Sequence, residues 1–207
     1  MLTRLRPEGE DLPDRQLLLA PAPVRTDDQL SAVVLAAQSG QEEAFSELYQ
    51  LVQPGLLRYL SVLVGRDAED IASETWLQVC RDLHTFVGDA DGFRGWVATI
   101  GRHRGLDHLR SRSRRPGNPA PWEALLAIAG HDDTAIQAEE ALSTAAALSM
   151  IGALPQEQAE AVLLRAVIGL DAKSAAAVLV KSPGAVRTSA YRGLKNLAAM
   201  LETGRID

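Results

Sequence analysis

The sequence predicts an all-α protein of two small helical domains joined by a flexible linker, and three features carry that expectation. Alanine and leucine dominate while β-branched runs stay short, which favours helix over sheet. Apolar residues recur at helical spacing on both sides of a single break in the chain. That break, Pro116-Gly117-Asn118-Pro119-Ala120-Pro121, cannot continue a helix, because proline lacks the amide donor and clashes with the preceding turn.

Residues 1–28 carry Pro7, Pro13, Pro21 and Pro23 among charges, without periodicity, and read as a flexible tail. A first helix is expected from near Asp28 to Gly40. A second runs from Gln41 to Val64 with an interruption at Pro54-Gly55, and a third from Asp67 to about Phe86. Gly88-Asp89-Ala90-Asp91-Gly92 stops the third helix, and a fourth follows from Phe93 to about Arg112. These four make a domain over residues 29–115. The linker, 116–138, holds Trp122, Leu125, Leu126 and Ile128, which suit either a short helix packed on one domain or a segment docking on a partner.

The second domain, 139–203, opens with a helix from Glu139 to Ala153. Pro155 starts the next helix, which Gly169 closes. Asp171 caps a helix of about nine residues. Ser182 as N-cap, with Pro183 at the first helical position, opens a last helix reaching about Leu201. A short helix, a tight turn and a capped longer helix form a helix-turn-helix pattern.

Composition removes several function classes. No apolar run approaches the roughly 18 residues that span a membrane. Leu17-Leu18-Leu19-Ala20 is too short for a signal-peptide core and follows acidic residues, so a cytoplasmic protein is expected. Cys80 is the only cysteine, which excludes an intrachain disulfide and a cysteine metal site. His84, His103, His108 and His131 lack zinc-like spacing, and no Gly-rich phosphate loop or nucleophile constellation is present. No enzyme, cofactor or metal is expected.

The net charge of −6 alone speaks against a nucleic-acid binder, yet its distribution reverses that reading. Residues 1–93 carry 7 basic and 16 acidic side chains, whereas residues 94–115 carry 7 arginines against Asp107 alone. Such segregation suggests separate surfaces for separate partners.

Three surfaces follow. At 100° per residue the helix from Asp67 gathers Ala68, Ile71, Ala72, Thr75, Trp76, Val79, Leu83 and Phe86 on a core face. Asp67, Asp70, Glu74, Leu77, Gln78 and Arg81 gather on another, which suits a solvated face or a patch for a basic partner protein. The next helix carries Arg102, Arg104, Arg110, Arg112, Arg114 and Arg115 with His103 and His108, a density fit to neutralise phosphates. Phe93 and Trp96 interleave with that block, but at Phe93, Trp96, Val97 and Ile100 the spacing favours core packing over base stacking. The last helix offers Lys181, Ser182, Arg187, Thr188, Ser189, Tyr191, Arg192 and Lys195, with no acidic residue from 172 to 201. Ala185, Val186 and Leu194 are expected on its buried side.

These residues resemble a known family. Asp67-Ala68-Glu69-Asp70-Ile71-Ala72-Ser73-Glu74-Thr75-Trp76-Leu77 is similar to the polymerase-binding helix of sigma-70 factors of the extracytoplasmic-function (ECF) group. Phe93-Arg94-Gly95-Trp96-Val97-Ala98-Thr99-Ile100, with Arg102 and Asp107-His108-Leu109-Arg110, resembles that family's promoter-melting helix. Ala153-Leu154-Pro155, Gln158, Pro183-Gly184-Ala185-Val186-Arg187-Thr188-Ser189 and Tyr191-Arg192 resemble its C-terminal helix-turn-helix.

The resemblance implies a sigma factor without catalytic activity. Its acidic face would bind the clamp helices of the largest subunit of core RNA polymerase, and its C-terminal domain the β flap. The stretch from Gly88 to Arg115, with Arg94 and Trp96 among its contacts, would melt the minus-ten element of promoter DNA. The last helix, Pro183 included, would read the minus-thirty-five element. An anti-sigma factor is a further partner of the kind the family implies. The chain departs from the family at Ser189, Ala190 and Gly193, where basic residues are common, and in Ala172 to Val180, which carries Lys173 and lacks the usual glutamates. Two rival readings remain at this point: a stand-alone helix-turn-helix regulator, and a protein-interaction adaptor that leaves the arginines unexplained.

Overall fold

The computed structural model describes residues 27–113 and 135–203, with backbone alone over 135–142, and no strand occurs among the described residues. The N-terminal domain comprises α1 (Asp27–Gln38), α2 (Glu42–Val64), α3 (Ala68–Asp82) and α4 (Ala90–Ser113). The C-terminal domain comprises α5 (Ala135–Gly152), α6 (Gln156–Val162), α7 (Ala172–Leu179) and α8 (Pro183–Thr203). Trp122, Leu125, Leu126, Ile128, Arg114, Arg115 and most of the N-terminal tail lie outside the described residues.

Each N-terminal helix buries one stripe. Leu30, Val34 and Ala37 of α1 and Ala44, Leu48, Val52, Leu56 and Tyr59 of α2 recur every three or four residues and are all buried. The interruption expected at Pro54 does not occur: α2 runs through it unbroken. Pro54 removes one backbone bond, but buried Val52 and Leu56 on either side fix the helix by packing. The core face of α3 is as its spacing predicts, with Phe86 half-buried beyond its end. Gln38 Nε2 donates to the carbonyls of Leu83 and Phe86 at 2.9 and 2.7 Å, tying the end of α1 to the turn that ends α3. Trp76 donates its indole N–H to Gln53 at 2.7 Å and meets Phe45 edge-on.

Helix α4 starts three residues earlier than its apolar spacing suggests, inside the stretch expected to be a loop. Asp89 accepts the Gly92 N–H at 2.8 Å and so supplies a start signal ahead of the first apolar residue.

In the C-terminal domain, α6 widens into a π turn over Leu163–Val167, and Gly169, at φ +82°, reverses the chain behind it. Asp171 caps α7 by accepting the Ser174 N–H at 2.7 Å, and Ser182 caps α8 by accepting the Ala185 N–H at 3.2 Å. Helix α8 crosses α6 so closely that a Cβ on Gly193 would stand 2.6 Å from Val162 Cγ2. Its buried stripe is Val186, Ala190 and Gly193. Ala185 and Leu194, expected there, are exposed instead, because the small residues Ala190 and Gly193 set the line of contact with α6.

The turn between α7 and α8 is strained. Val180 adopts the left-handed conformation at φ 54° and ψ 48°, which a β-branched residue disfavours by about 1–2 kcal/mol. Its side chain is 83% exposed, so little packing holds it there. Val180→Gly should therefore stabilise the chain by roughly 0.5–1 kcal/mol, after allowing for the extra freedom of glycine when unfolded. Thermal melting of both proteins checks this, and a lower midpoint for the variant would contradict it.

Candidate protein- and nucleic-acid-binding surfaces

The acidic residues of α3 divide into two groups. Glu69 and Asp70 occupy its first turn, where the helix dipole favours carboxylates, and face solvent. Leu77 is 65% exposed one face away from the core, and Arg81 lies beside it, its Nε 3.4 Å from the Leu77 carbonyl. The second group is engaged by α4. Arg104 donates to Glu74 Oε2 and Gln78 Oε1, both at 2.9 Å. Asp67 accepts from Arg112 and lies 2.9 Å from His108 Nε2. Partial burial pushes the Asp67 carboxyl up, but His108 and Arg112 outweigh it and leave the group below its ordinary range. Segregated in sequence, the acidic and arginine blocks thus meet in space along the α3–α4 seam.

The remaining cations of α4 are spread around the helix. Arg94 pairs with Asp27 at 2.9 Å and Asp91 at 3.7 Å. Trp96 is half-buried, packed against Phe86 and Phe93 with ring centroids 5.3 and 5.9 Å away, which is the core role its spacing favoured. His103 and Arg110 face solvent, Arg110 bonding Asp107 at 2.8 Å. Exposed pairs of this kind contribute little and exchange readily for a phosphate.

Arg102 differs. Its Nε donates to Glu160 Oε2 of α6 at 2.8 Å, and the side chains are only 18% and 7% exposed. Gln156 donates to the other carboxylate oxygen at 2.9 Å. Burial acts to lower the Arg102 pKa, but Glu160 outweighs it and holds the guanidinium above its ordinary value. The Tyr59 hydroxyl is buried beside this pair, and burial pushes its ionisation well above the ordinary range. Sequence reasoning missed Glu160, Gln156 and Tyr59. The available signal was an acid set inside the apolar run from Ala159 to Leu164.

Helix α8 presents a continuous outer face. Lys181, Ser182, Pro183, Arg187, Thr188, Tyr191, Arg192 and Lys195 are exposed, and Ser189 is half-buried. Arg187, Thr188, Tyr191, Arg192 and Lys195 span an arc of about 140° at 100° per residue. Lys181 pairs with Glu157 at 2.6 Å, while the Tyr191 ring stands 70% exposed. A capped helix offering cations, hydroxyls and an aromatic ring from its first turns suits major-groove contact. The Asp171 carboxyl, held by the Ser174 N–H, sits below its ordinary range, which keeps the α7 cap ionised. Among the described residues, no cluster of His, Cys, Asp or Glu could hold a metal ion.

Known proteins share this architecture. The family model for Sigma-70 region 2 matches residues 48–115, and that for Sigma-70 region 4 matches residues 144–197. The chain is 34% identical over 175 residues to the ECF RNA polymerase sigma factor BldN of Streptomyces coelicolor, covering 84% of this chain and 66% of that protein. It is 30% identical over 189 residues to the ECF RNA polymerase sigma factor SigD of Mycobacterium tuberculosis, covering 87% of this chain and 88% of that one. Among solved structures, CnrH in complex with the cytosolic domain of CnrY aligns with a TM-score of 0.57 at 24% identity. That alignment covers 84% of this chain and 97% of the other, a likeness of fold.

Proposed function

This chain belongs to the sigma-70 family of RNA polymerase sigma factors, in its ECF group, and acts in transcription initiation; from that premise we propose which of its surfaces meets which partner. The exposed ridge of α3 binds the clamp helices of core RNA polymerase. Asp70, Leu77 and Arg81 form its front, Glu74 and Gln78 its flank, and Asp67 its base. The observation that carries this assignment is Leu77, a large apolar side chain 65% exposed among charges, as at the centre of protein contacts.

Helix α4 meets the minus-ten element through Arg94, Arg102, His103, Arg104, Arg110 and Arg112, continued by Arg114 and Arg115, with Trp96 supporting them. Helix α8 reads the minus-thirty-five element through Lys181, Ser182, Pro183, Arg187, Thr188, Ser189, Tyr191, Arg192 and Lys195. The β flap of polymerase seats the C-terminal domain, and an anti-sigma factor is a further partner. The chain carries out no catalysis of its own, since polymerase supplies the chemistry. No described helix is long and apolar enough to cross a membrane, in keeping with work in the cytoplasm beside polymerase.

Transcription by core polymerase on a pooled library of upstream regions from the parent genome tests this reading. Discrete start sites are expected only when the protein is added. Start sites independent of it, with no binding to core polymerase, would favour a stand-alone DNA-binding regulator.

A further inference from the structure

A cavity of about 270 Å³ lies where the two domains meet, between α2 and α4 on one side and α6 with the turn before it on the other. Val62, Leu63, Leu109, Leu154 and Leu163 give it apolar walls, while Tyr59, Gln156 and Glu160 bring polar groups to it. Val62, Leu63 and Leu109 are only half-buried, which leaves a way in from solvent. None of the lining residues belongs to the surfaces assigned above to polymerase or DNA.

Tyr59 sets the chemistry. It is fully buried, and its hydroxyl has no hydrogen-bond partner among the described residues. Arg102 stands within electrostatic reach, but a guanidinium can only donate to the phenol oxygen and leaves the phenol proton without an acceptor. The Glu160 carboxylate is already held by Arg102 at 2.8 Å and by Gln156 at 2.9 Å. A buried donor left in this way is costly, and a group that accepts its proton removes that cost. Charge is the second constraint. The Arg102–Glu160 pair cancels its own charge, and the apolar walls solvate no ion. Size is the third. A cavity of roughly 150 Å³ holds benzene, so this one suits roughly ten to a dozen non-hydrogen atoms.

We propose that this cavity is a binding site for a small uncharged amphiphile, an apolar body carrying one carbonyl or ether oxygen that accepts the Tyr59 proton. The ligand lies across the domain boundary, its apolar part against α2, α4 and the turn before α6, its oxygen at the Tyr59 end. Selection works through the unpaired donor: a ketone satisfies it, a hydrocarbon of the same shape leaves it unpaired, and a carboxylate adds an uncompensated charge beside Glu160.

Three probes of about eleven non-hydrogen atoms separate these cases: benzylacetone, a ketone; isopentylbenzene, without the oxygen; and hydrocinnamate, the carboxylate. Titration of benzylacetone into the full chain, labelled at its leucine and valine methyls, should shift Val62, Leu63, Leu109, Leu154 and Leu163 saturably. The expected Kd is about 0.1–1 mM, and the other two probes should bind roughly fivefold more weakly or worse. Tyr59→Phe deletes the hydroxyl alone, so benzylacetone should fall to the affinity of isopentylbenzene, whose own binding should not change. Val62→Trp fills the cavity from its half-buried edge and should abolish binding of all three. Circular dichroism checks the fold of each variant. Shifts that fail to saturate, or that scatter over the surface, would overturn the proposal, since the cavity then takes water alone. Equal affinity for benzylacetone and isopentylbenzene, a folded Tyr59→Phe variant that still prefers the ketone, or undiminished binding to Val62→Trp would each do so too.

Discussion

Asp70→Arg combined with Leu77→Ala is expected to reduce the affinity for core RNA polymerase by roughly 150-fold, about 3 kcal/mol. Both side chains are exposed, so neither substitution opens a cavity in the domain. Leu77 supplies the apolar centre of the ridge, and Asp70 the charge that faces a basic partner. Reversing that charge sets like against like, which costs more than its removal. Glu74 is a poorer choice, because its carboxylate already pairs with Arg104, and changing it disturbs the α3–α4 seam as well as the partner. Titration of labelled core polymerase, with circular dichroism as the control for folding, gives the result directly. Unchanged affinity in a folded variant would remove α3 from the polymerase contact and favour the regulator reading.

Phe93→Ala is expected to destabilise the protein by about 3–5 kcal/mol. Phe93 is fully buried at the start of α4, where it meets Phe86 edge-on at 5.3 Å and Trp96 at 5.9 Å. Its loss leaves a void where α4 begins, and Trp96 loses one of the two rings that hold it. Because whole domains are stable by only about 5–15 kcal/mol, much of the N-terminal domain should unfold on mild heating. Urea denaturation followed by tryptophan fluorescence measures the change. A loss below about 1 kcal/mol would mean that the aromatic cluster is not the keystone of this domain.

The contrast between these variants shows how differently the two kinds of residue can be read. Phe93, Val97 and Ile100 were assignable to a core because apolar spacing reports a face, and all three are buried. The caps at Asp171 and Ser182 were legible for a related reason: a cap forms within one turn and needs no distant residue. Local signals failed where packing outweighed them. Pro54 reads as a break, yet α2 continues through it, and Leu194 is 52% exposed because the line of α8 against α6 follows Ala190 and Gly193.

By itself, then, the sequence determined the helical class, the presence of two helical domains, the capped helix-turn-helix and the residue types of each surface. All of these depend on backbone preference and periodicity over a few turns. Only the tertiary structure decided which charges are free. Arg104 meets Glu74 across 30 residues, Arg112 meets Asp67 across 45 and Arg102 meets Glu160 across 58. Charge pairing depends on distances of a few ångströms between side chains, and those are set by how helices pack rather than by their order along the chain.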